Sequence, residues 1–180
     1  GFDILIMNPP YIGEKGNKQK FHEVKETSLL DFYQKKMDYF YFFFHQALNI
    51  TKSSGFISGI TTNYYVTATG ATKLRNDIFN RASVTKLINF GESKVFPSAL
   101  GQHNLITFLT KPKKNTSTNV ITVNKTGLID SINFDRIFSG IDEETNYLNI
   151  NNDKLFDGDE KYIRIVTSGN IKGDKVINSI

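Results

Sequence analysis

The chain contains 180 residues, of which 39% are hydrophobic and 13% aromatic, so it is long enough for one packed domain with further material beside it. It has no cysteine, which excludes a disulfide scaffold and a cysteine-based zinc site, and its longest apolar run, residues 39–44, is far shorter than the roughly 20 residues that span a bilayer. A formal net charge of +4 permits a polyanionic partner without requiring one, and the lack of cysteine favours a cytoplasmic setting.

The first part of the chain predicts alternating strands and helices. Residues 2–6, FDILI, are continuously apolar after Asp3, which is typical of a strand covered on both faces. Two prolines end this strand, and a polar loop with some local helix follows to about residue 36. The periodicity then predicts, in chain order, a helix at 37–51, a strand at 56–61, a helix at 71–81, and strands at 84–90 and 103–110, the last of them antiparallel. This order indicates an α/β fold with part of a doubly wound sheet.

The remainder of the chain has a different character. After the polar segment that begins near Lys111, a short strand is predicted at 120–124, and residues 126–160 read as a linker with little core and one helical candidate at 131–137. A new strand-and-turn pattern starts near residue 161. We therefore divide the chain at 1–111, 112–160 and 161–180. Because a buried-looking strand begins directly at the first residues, we expect the chain to be a piece of a longer protein.

Residues 7–12, MNPPYI, carry the most unusual local chemistry. In an open α/β sheet, ligands bind at the carboxyl ends of the strands, and two adjacent prolines stiffen the backbone there. The side-chain oxygen of Asn8 and the carbonyl oxygen of Pro9 can then form two preset acceptors for one donor group. Tyr11 adds an aromatic face on which a planar base can stack. The alternative is that Asn8 caps the next turn and the prolines only end a strand.

The stretch FDILIMNPPY resembles the fourth conserved motif of the amino-group methyltransferases that use S-adenosylmethionine, a strand followed by (Asn/Asp/Ser)-Pro-Pro-(Tyr/Phe/Trp). Further along the chain, DYFYFFFHQAL, the segment from 54 to 78 and LINFGESKVFPSALGQHNLITFLTK are similar, in the same order, to segments of the large bacterial N6-adenine DNA methyltransferases. The best overall match is the methyltransferase part of bifunctional type IIG/IIS restriction-modification enzymes, over roughly residues 1–111. The resemblance implies the C-terminal half of a Rossmann-like methyltransferase sheet with helices on its faces, a linker, and the start of a target-recognition domain.

The resemblance also assigns roles to individual residues. Asn8, Pro9, Pro10 and Tyr11 would be the catalytic motif that holds the amino group of a flipped-out adenine, and Asn8 is also a candidate contact to the cofactor. Phe96 matches an aromatic residue that packs against the flipped base, with an ordinary core residue as the alternative. The loop lysines after the motif are candidate contacts to the DNA backbone, although the interleaved glutamates slightly favour a solvated loop: Lys15, Lys18 and Lys20.

The implied activity is site-specific N6-methylation of adenine in double-stranded DNA by a bacterial, cytoplasmic enzyme. S-adenosylmethionine would be its cofactor, and Mg²⁺ would serve only a nuclease domain outside these residues. The glycine-rich cofactor motif is absent from the sequence, so we expect these 180 residues alone to be inactive. No metal site or membrane contact is predicted, and oligomeric state is left open. Two other functions stay open: an rRNA guanine or protein glutamine methyltransferase, and a non-catalytic DNA-binding or structural remnant.

Overall fold

A computed structural model of the chain describes residues 1–97 and 102–165. The longer strands are β1 (Phe2–Met7), β2 (Thr51–Thr62), β3 (Ser83–Asn89), β5 (Asn104–Thr110), β6 (Ser117–Val123) and β8 (Thr145–Asn151). The two-residue strands are β4 (Ser93–Lys94), β7 (Gly127–Leu128), β9 (Phe156–Asp157) and β10 (Tyr162–Ile163). The helices are α1 (Lys18–Lys25), α2 (Phe40–Ile50), α3 (Thr72–Arg81), α4 (Ser131–Phe138) and α5 (Asn152–Leu155).

Six strands form one mixed sheet in the order β1-β2-β5-β3-β6-β8. β1 is parallel to β2, β3 is parallel to β6, and β5 runs antiparallel to both β2 and β3. The carboxyl ends of β1, β2, β3 and β6 therefore meet at one edge of the sheet. The predicted α/β class and the antiparallel last strand of the first segment are confirmed.

The hydrophobic core lies on both faces of the sheet, and the cluster on one face is much larger than the cluster on the other. On one face, α2 and α3 cover the sheet with a cluster that is rich in aromatic rings, including Phe40, Phe44 and Tyr65. On the other face, α4 closes a smaller cluster through Ile137, next to strand residues such as Ile88. Successive residues of β3, Leu87 and Ile88, belong to different clusters, because neighbouring side chains of a strand point to opposite faces of the sheet.

β1 lies at an edge of the sheet and leaves one face open. Ile4 is 66% exposed and Ile6 is 80% exposed, next to Phe56 of β2, which is 57% exposed. The prediction that this strand is covered on both faces is therefore wrong for the described structure. A continuous apolar run does not distinguish an interior strand from an edge strand whose outer face is also apolar, because burial depends on which neighbours the topology supplies.

Residues 126–160 contain more regular structure than the sequence predicts. β7, α4 and β8 lie in this segment, and β8 adds to the large sheet by pairing with β6 over its whole length. The helix predicted at 131–137 is confirmed as α4. A polar β8, TNYLNIN, escaped detection because an edge strand exposes most of its side chains and loses the apolar alternation. The division at 111 and 160 stays a prediction, and residues 166–180 of the expected recognition domain lie outside the described residues.

A strained turn before α2 is held by its surroundings. Lys36 has a φ of +64°, a left-handed conformation that is costly for a residue with a side chain. Glu14 accepts a hydrogen bond from the Lys36 backbone N–H at 2.7 Å. Gly70 approaches from the other side so closely that an added Cβ would lie 2.0 Å from the Lys36 carbonyl oxygen. The turn and the segment before α3 are therefore packed backbone to backbone.

Gly70→Ala should destabilise the protein by about 3 kcal/mol, the upper end of the range for overpacking, because the new methyl group meets immovable backbone. Gly13→Ala is the matched control: an added Cβ at Gly13 has no neighbour within 4 Å, and its φ lies outside the left-handed region. The melting temperatures of both full-length variants measure the difference. Equal melting temperatures would contradict the close approach of Gly70 to Lys36.

Candidate active site

Residues 8–11 (Asn8, Pro9, Pro10 and Tyr11), here called the NPPY turn, follow β1 directly at the carboxyl edge of the sheet. Asn8 and Pro10 are exposed, Pro9 is buried, and Tyr11 is half-buried. Each proline fixes its own φ and restricts the residue before it, so the turn has few alternative conformations. The exposed Asn8 carboxamide is thus presented on a rigid backbone.

The side chain of Tyr11 closes the NPPY turn. Its hydroxyl lies 3.1 Å from Asn8 Oδ1 and 3.0 Å from the carbonyl oxygen of Ile60, and it can donate its single proton to one of them at a time. The ring packs edge-on against Phe40 of α2, with 6.1 Å between centroids. The turn is therefore tied to β2 by a hydrogen bond and to α2 by ring packing.

Asn104, the first residue of β5, lies beside the Tyr11 hydroxyl and was missed by the sequence analysis. Burial raises the pKa of the Tyr11 hydroxyl, the neighbouring Asn104 carboxamide opposes this rise, and the charge of Asp38 adds to it. Asn104 is fully buried, and neither polar atom of its side chain has a hydrogen bond of normal geometry to any other described residue. The available signal was a lone amide at the start of the apolar run NLITFLT.

Asp38 joins the exit of the NPPY turn to the start of α2. Its Oδ1 accepts hydrogen bonds from the backbone N–H groups of Ile12 at 3.0 Å and Phe40 at 3.4 Å. The Tyr39 N–H donates in return to the Ile12 carbonyl oxygen at 2.8 Å. Burial raises the pKa of the Asp38 carboxyl, and these backbone donors partly counter the rise. The sequence resemblance pointed to this helix but assigned Asp38 no role.

Two of the three candidate DNA-contacting lysines line a wide groove of about 770 Å³ that begins just beyond the NPPY turn. Lys15 and Lys18 belong to its wall together with Lys35 and Lys36, which the sequence analysis did not select. Lys20 is exposed on α1 but does not line this groove.

Phe96 is not brought together with the NPPY turn within the described residues. It is half-buried and lies two residues after β4, with no hydrogen bond or ring contact to Asn8 or Tyr11. Its neighbour Val95 packs on the cluster beneath α4. The proposed role of Phe96 against the target base stays a prediction.

The cofactor implied by the resemblance does not find a complete site in the described residues. The apolar cavity beside β1, about 320 Å³, is lined by residues such as Leu5, Met7 and Phe43 and contains no carboxylate that could hold ribose hydroxyl groups. Within residues 1–97 and 102–165, no group of three His, Asp or Glu side chains could hold a metal ion. No helix in this described part of the chain is long and apolar enough to cross a membrane.

Proteins of restriction-modification systems resemble this chain in sequence and in fold. Residues 1–96 match the model of the Eco57I restriction-modification methylase family. The type II methyltransferase M.HincII of Haemophilus influenzae is 30% identical over 132 residues, which cover 72% of this chain and 26% of that protein. The type II restriction enzyme and methyltransferase RM.Eco57I of Escherichia coli is 28% identical over 102 residues, or 53% of this chain and 10% of that protein.

Solved structures of restriction-modification enzymes share the fold at low sequence identity. The type IIG restriction endonuclease BpuSI superimposes with a TM-score of 0.62 at 15% identity, over 98% of this chain and 22% of that one. The type IIL enzyme MmeI, solved in complex with DNA, gives a TM-score of 0.59 at 13% identity, over 92% of this chain and 20% of that one.

The chain thus spans about a quarter or less of the length of these relatives. The family match covers more than half of the chain and includes the NPPY turn and the first strands and helices of the sheet. The expected resemblance to restriction-modification methyltransferases is confirmed, and the chain belongs to the Eco57I restriction-modification methylase family.

Proposed function

We propose that the protein to which this chain belongs transfers a methyl group from S-adenosylmethionine to the N6 amino group of adenine in double-stranded DNA. Membership of a restriction-modification methylase family supports methyl transfer to DNA. The observation that carries the choice of an amino group is the rigid NPPY turn, which presents Asn8 at the carboxyl edge of the sheet.

The chemistry needs acceptors at the target nitrogen. The lone pair of an aromatic amino group is delocalised into the ring, so the nitrogen is a weak nucleophile. It becomes a better nucleophile when hydrogen-bond acceptors hold its two hydrogens out of the plane of the ring. Asn8 Oδ1 and the Pro9 carbonyl oxygen are the two acceptors in this proposal, and they favour the pyramidal nitrogen. The Asn8 carboxamide oxygen has two lone pairs, so it can accept from the amine while Tyr11 keeps its own hydrogen bond.

Tyr11 supplies the stacking surface. Its half-exposed ring packs against Phe40 and its hydroxyl donates a hydrogen bond, so little side-chain freedom is lost when a base stacks on it. The amine of adenine is unreachable inside a duplex, so the target base must leave the stack to enter this site.

The cofactor supplies an electrophilic methyl group on a sulfonium. Asn8 and Pro9 would hold the amine nitrogen that receives this methyl group, and the extra proton on that nitrogen would pass to water. The chain's own residues hold the nitrogen and the ring during this step. The apolar cavity beside β1 does not fit the ribose, so the cofactor is held mainly by other parts of the protein. The resemblance to bifunctional enzymes extends the proposal to Mg²⁺-dependent DNA cleavage, carried by a separate nuclease segment.

Asn8→Ala in the full-length protein should reduce methylation by about 10²- to 10³-fold, the usual cost of removing one preorganised polar group from a reaction centre. Single-molecule sequencing of host DNA should then lose one N6-methyladenine sequence motif. Asn149→Ala, an exposed amide on the far edge strand β8, is the matched control and should keep that motif. Survival of every adenine motif in the Asn8 variant would refute the proposed function.

Two substitutions of Tyr11 distinguish the contribution of ring stacking to methyl transfer from that of the hydroxyl hydrogen bond. Tyr11→Ala should lower kcat/KM for methyl transfer by roughly 5- to 150-fold, which corresponds to the loss of about 1–3 kcal/mol of base stacking. Tyr11→Phe keeps the ring and loses only the hydroxyl contacts to Asn8 and Ile60, so its kcat/KM should stay within about tenfold of the parent, since one hydrogen bond contributes about 1 kcal/mol. Transfer of a labelled methyl group to a duplex measures both. If the two variants were equally defective, the ring would not be the stacking surface.

A further inference from the structure

The wide groove beyond the NPPY turn, here called the lysine groove, carries unpaired positive charge. Its charged lining residues are Glu14, Lys15, Lys18, Lys35, Lys36 and Asp38. Four lysines against two carboxylates leave a surplus of two positive charges. All four lysines are exposed, and none of their ammonium groups has an ion pair or hydrogen bond with another described residue.

The two carboxylates of the lysine groove are engaged in building its walls. Glu14 accepts from the Tyr33 hydroxyl at 2.6 Å through one oxygen and from the Lys36 backbone N–H through the other. The hydrogen bond to Glu14 raises the pKa of Tyr33 to about 12, which keeps the hydroxyl protonated as the donor. Asp38 Oδ1 is directed at backbone N–H groups. The carboxylates therefore fix the backbone and do not pair with the lysines.

The Lys35–Lys36 turn is held in place by contacts from three other residues. Besides Glu14 and Gly70, the side chain of Gln34 clamps it: its Nε2 donates to the Thr69 carbonyl oxygen at 2.8 Å, and its Oε1 accepts from the Lys73 N–H at 2.9 Å. A left-handed non-glycine residue persists only where its surroundings over-determine it, and such strain concentrates at functional positions. The turn thus presents two adjacent ammonium groups from a rigid base.

The lysine groove adjoins the proposed reaction site. Gly13, two residues after Tyr11, lies in its wall and forms an antiparallel bridge with Asp38. Tyr64, which follows the carboxyl end of β2 and is 54% exposed, lines the groove as well. A polyanion lying in this groove would pass directly beside the NPPY turn.

We propose that the lysine groove binds the phosphate backbone of duplex DNA beside the target base, with the Lys35–Lys36 turn as its rigid anchor. This inference rests on the proposed function, which makes DNA the polyanion. Lysine ammonium groups are point charges that suit phosphate contacts, and such contacts position a duplex without reading its sequence. The contribution of each lysine should therefore depend on salt and be independent of sequence.

The test compares two charge-matched double variants of the full-length protein. Lys35→Gln/Lys36→Gln removes the anchor, and Lys114→Gln/Lys154→Gln removes two exposed lysines from the opposite edge of the sheet. The backbone of Lys114 is hydrogen-bonded to the Ser83 hydroxyl at the start of β3. Lys154 lies on α5, whose Asn152 donates a hydrogen bond to the Thr116 carbonyl oxygen just before β6, so both lysines lie near the amino ends of these strands. Fluorescence anisotropy measures the Kd for a duplex without a methylation site between 50 and 200 mM salt.

Each lost phosphate contact lowers the slope of log K against log salt by about 0.9, so the anchor variant should lose about 1.8 in slope. The ratio of the anchor variant's Kd to the parent's Kd should accordingly fall by about tenfold between 50 and 200 mM salt. The control variant should keep the parent slope. An unchanged slope in the anchor variant, or an equal loss in the control, would overturn the inference.

A further variant, Lys36→Gly, tests whether a loss of slope comes from the missing charge or from damage to the fold. Glycine adopts the left-handed conformation without strain, so this variant should be at least as stable as the parent and still lose about 0.9 in slope. Methylation of a cognate duplex by the parent protein is measured in parallel. If the parent methylates adenine while the anchor variant and Lys36→Gly keep the parent slope, the proposed role of the lysine groove is refuted and the proposed function stands. If the slopes fall but the parent does not methylate adenine, the proposed function is refuted.

Discussion

The contact between the exit of the NPPY turn and the start of α2 is the constraint on which the rest of the site depends. The Ile12 N–H reaches Asp38, the Tyr39 N–H returns to Ile12, and Gly13 bridges to Asp38. This junction places Phe40 edge-on against Tyr11. It also closes the polar segment between the NPPY turn and α2 into a loop whose two ends are fixed.

The same junction explains why the carboxylates of the lysine groove do not form ion pairs with its lysines. Asp38 and Glu14 both face N–H groups of the backbone, where a carboxylate forms charge-assisted hydrogen bonds in defined directions. A lysine paired with either would compete with that structural role. Rigidity of the backbone and free positive charge in the lysine groove therefore have one physical origin.

The elements that could be predicted from sequence are those with strong periodicity or strong breakers. The aromatic residues of α2 recur at helical spacing, and the prolines after Met7 end β1 wherever the chain is placed. β8 and the exposure of β1 could not be predicted in this way. Both are edge strands, and the burial of an edge strand is decided by neighbours that are distant in sequence.

The sequence by itself determined the α/β class, the family resemblance and the identity of the NPPY turn, because these depend on local patterns and on backbone restrictions that proline imposes. The roles assigned to Asn8, Tyr11 and Phe96 stay predictions. Only the tertiary structure decided that Asn104 lies beside the Tyr11 hydroxyl and that Lys35 and Lys36 share a groove with Lys15 and Lys18. These neighbours belong to different segments, and their approach depends on strand pairing and on the close packing of Gly70 against Lys36, which no local pattern of residues encodes.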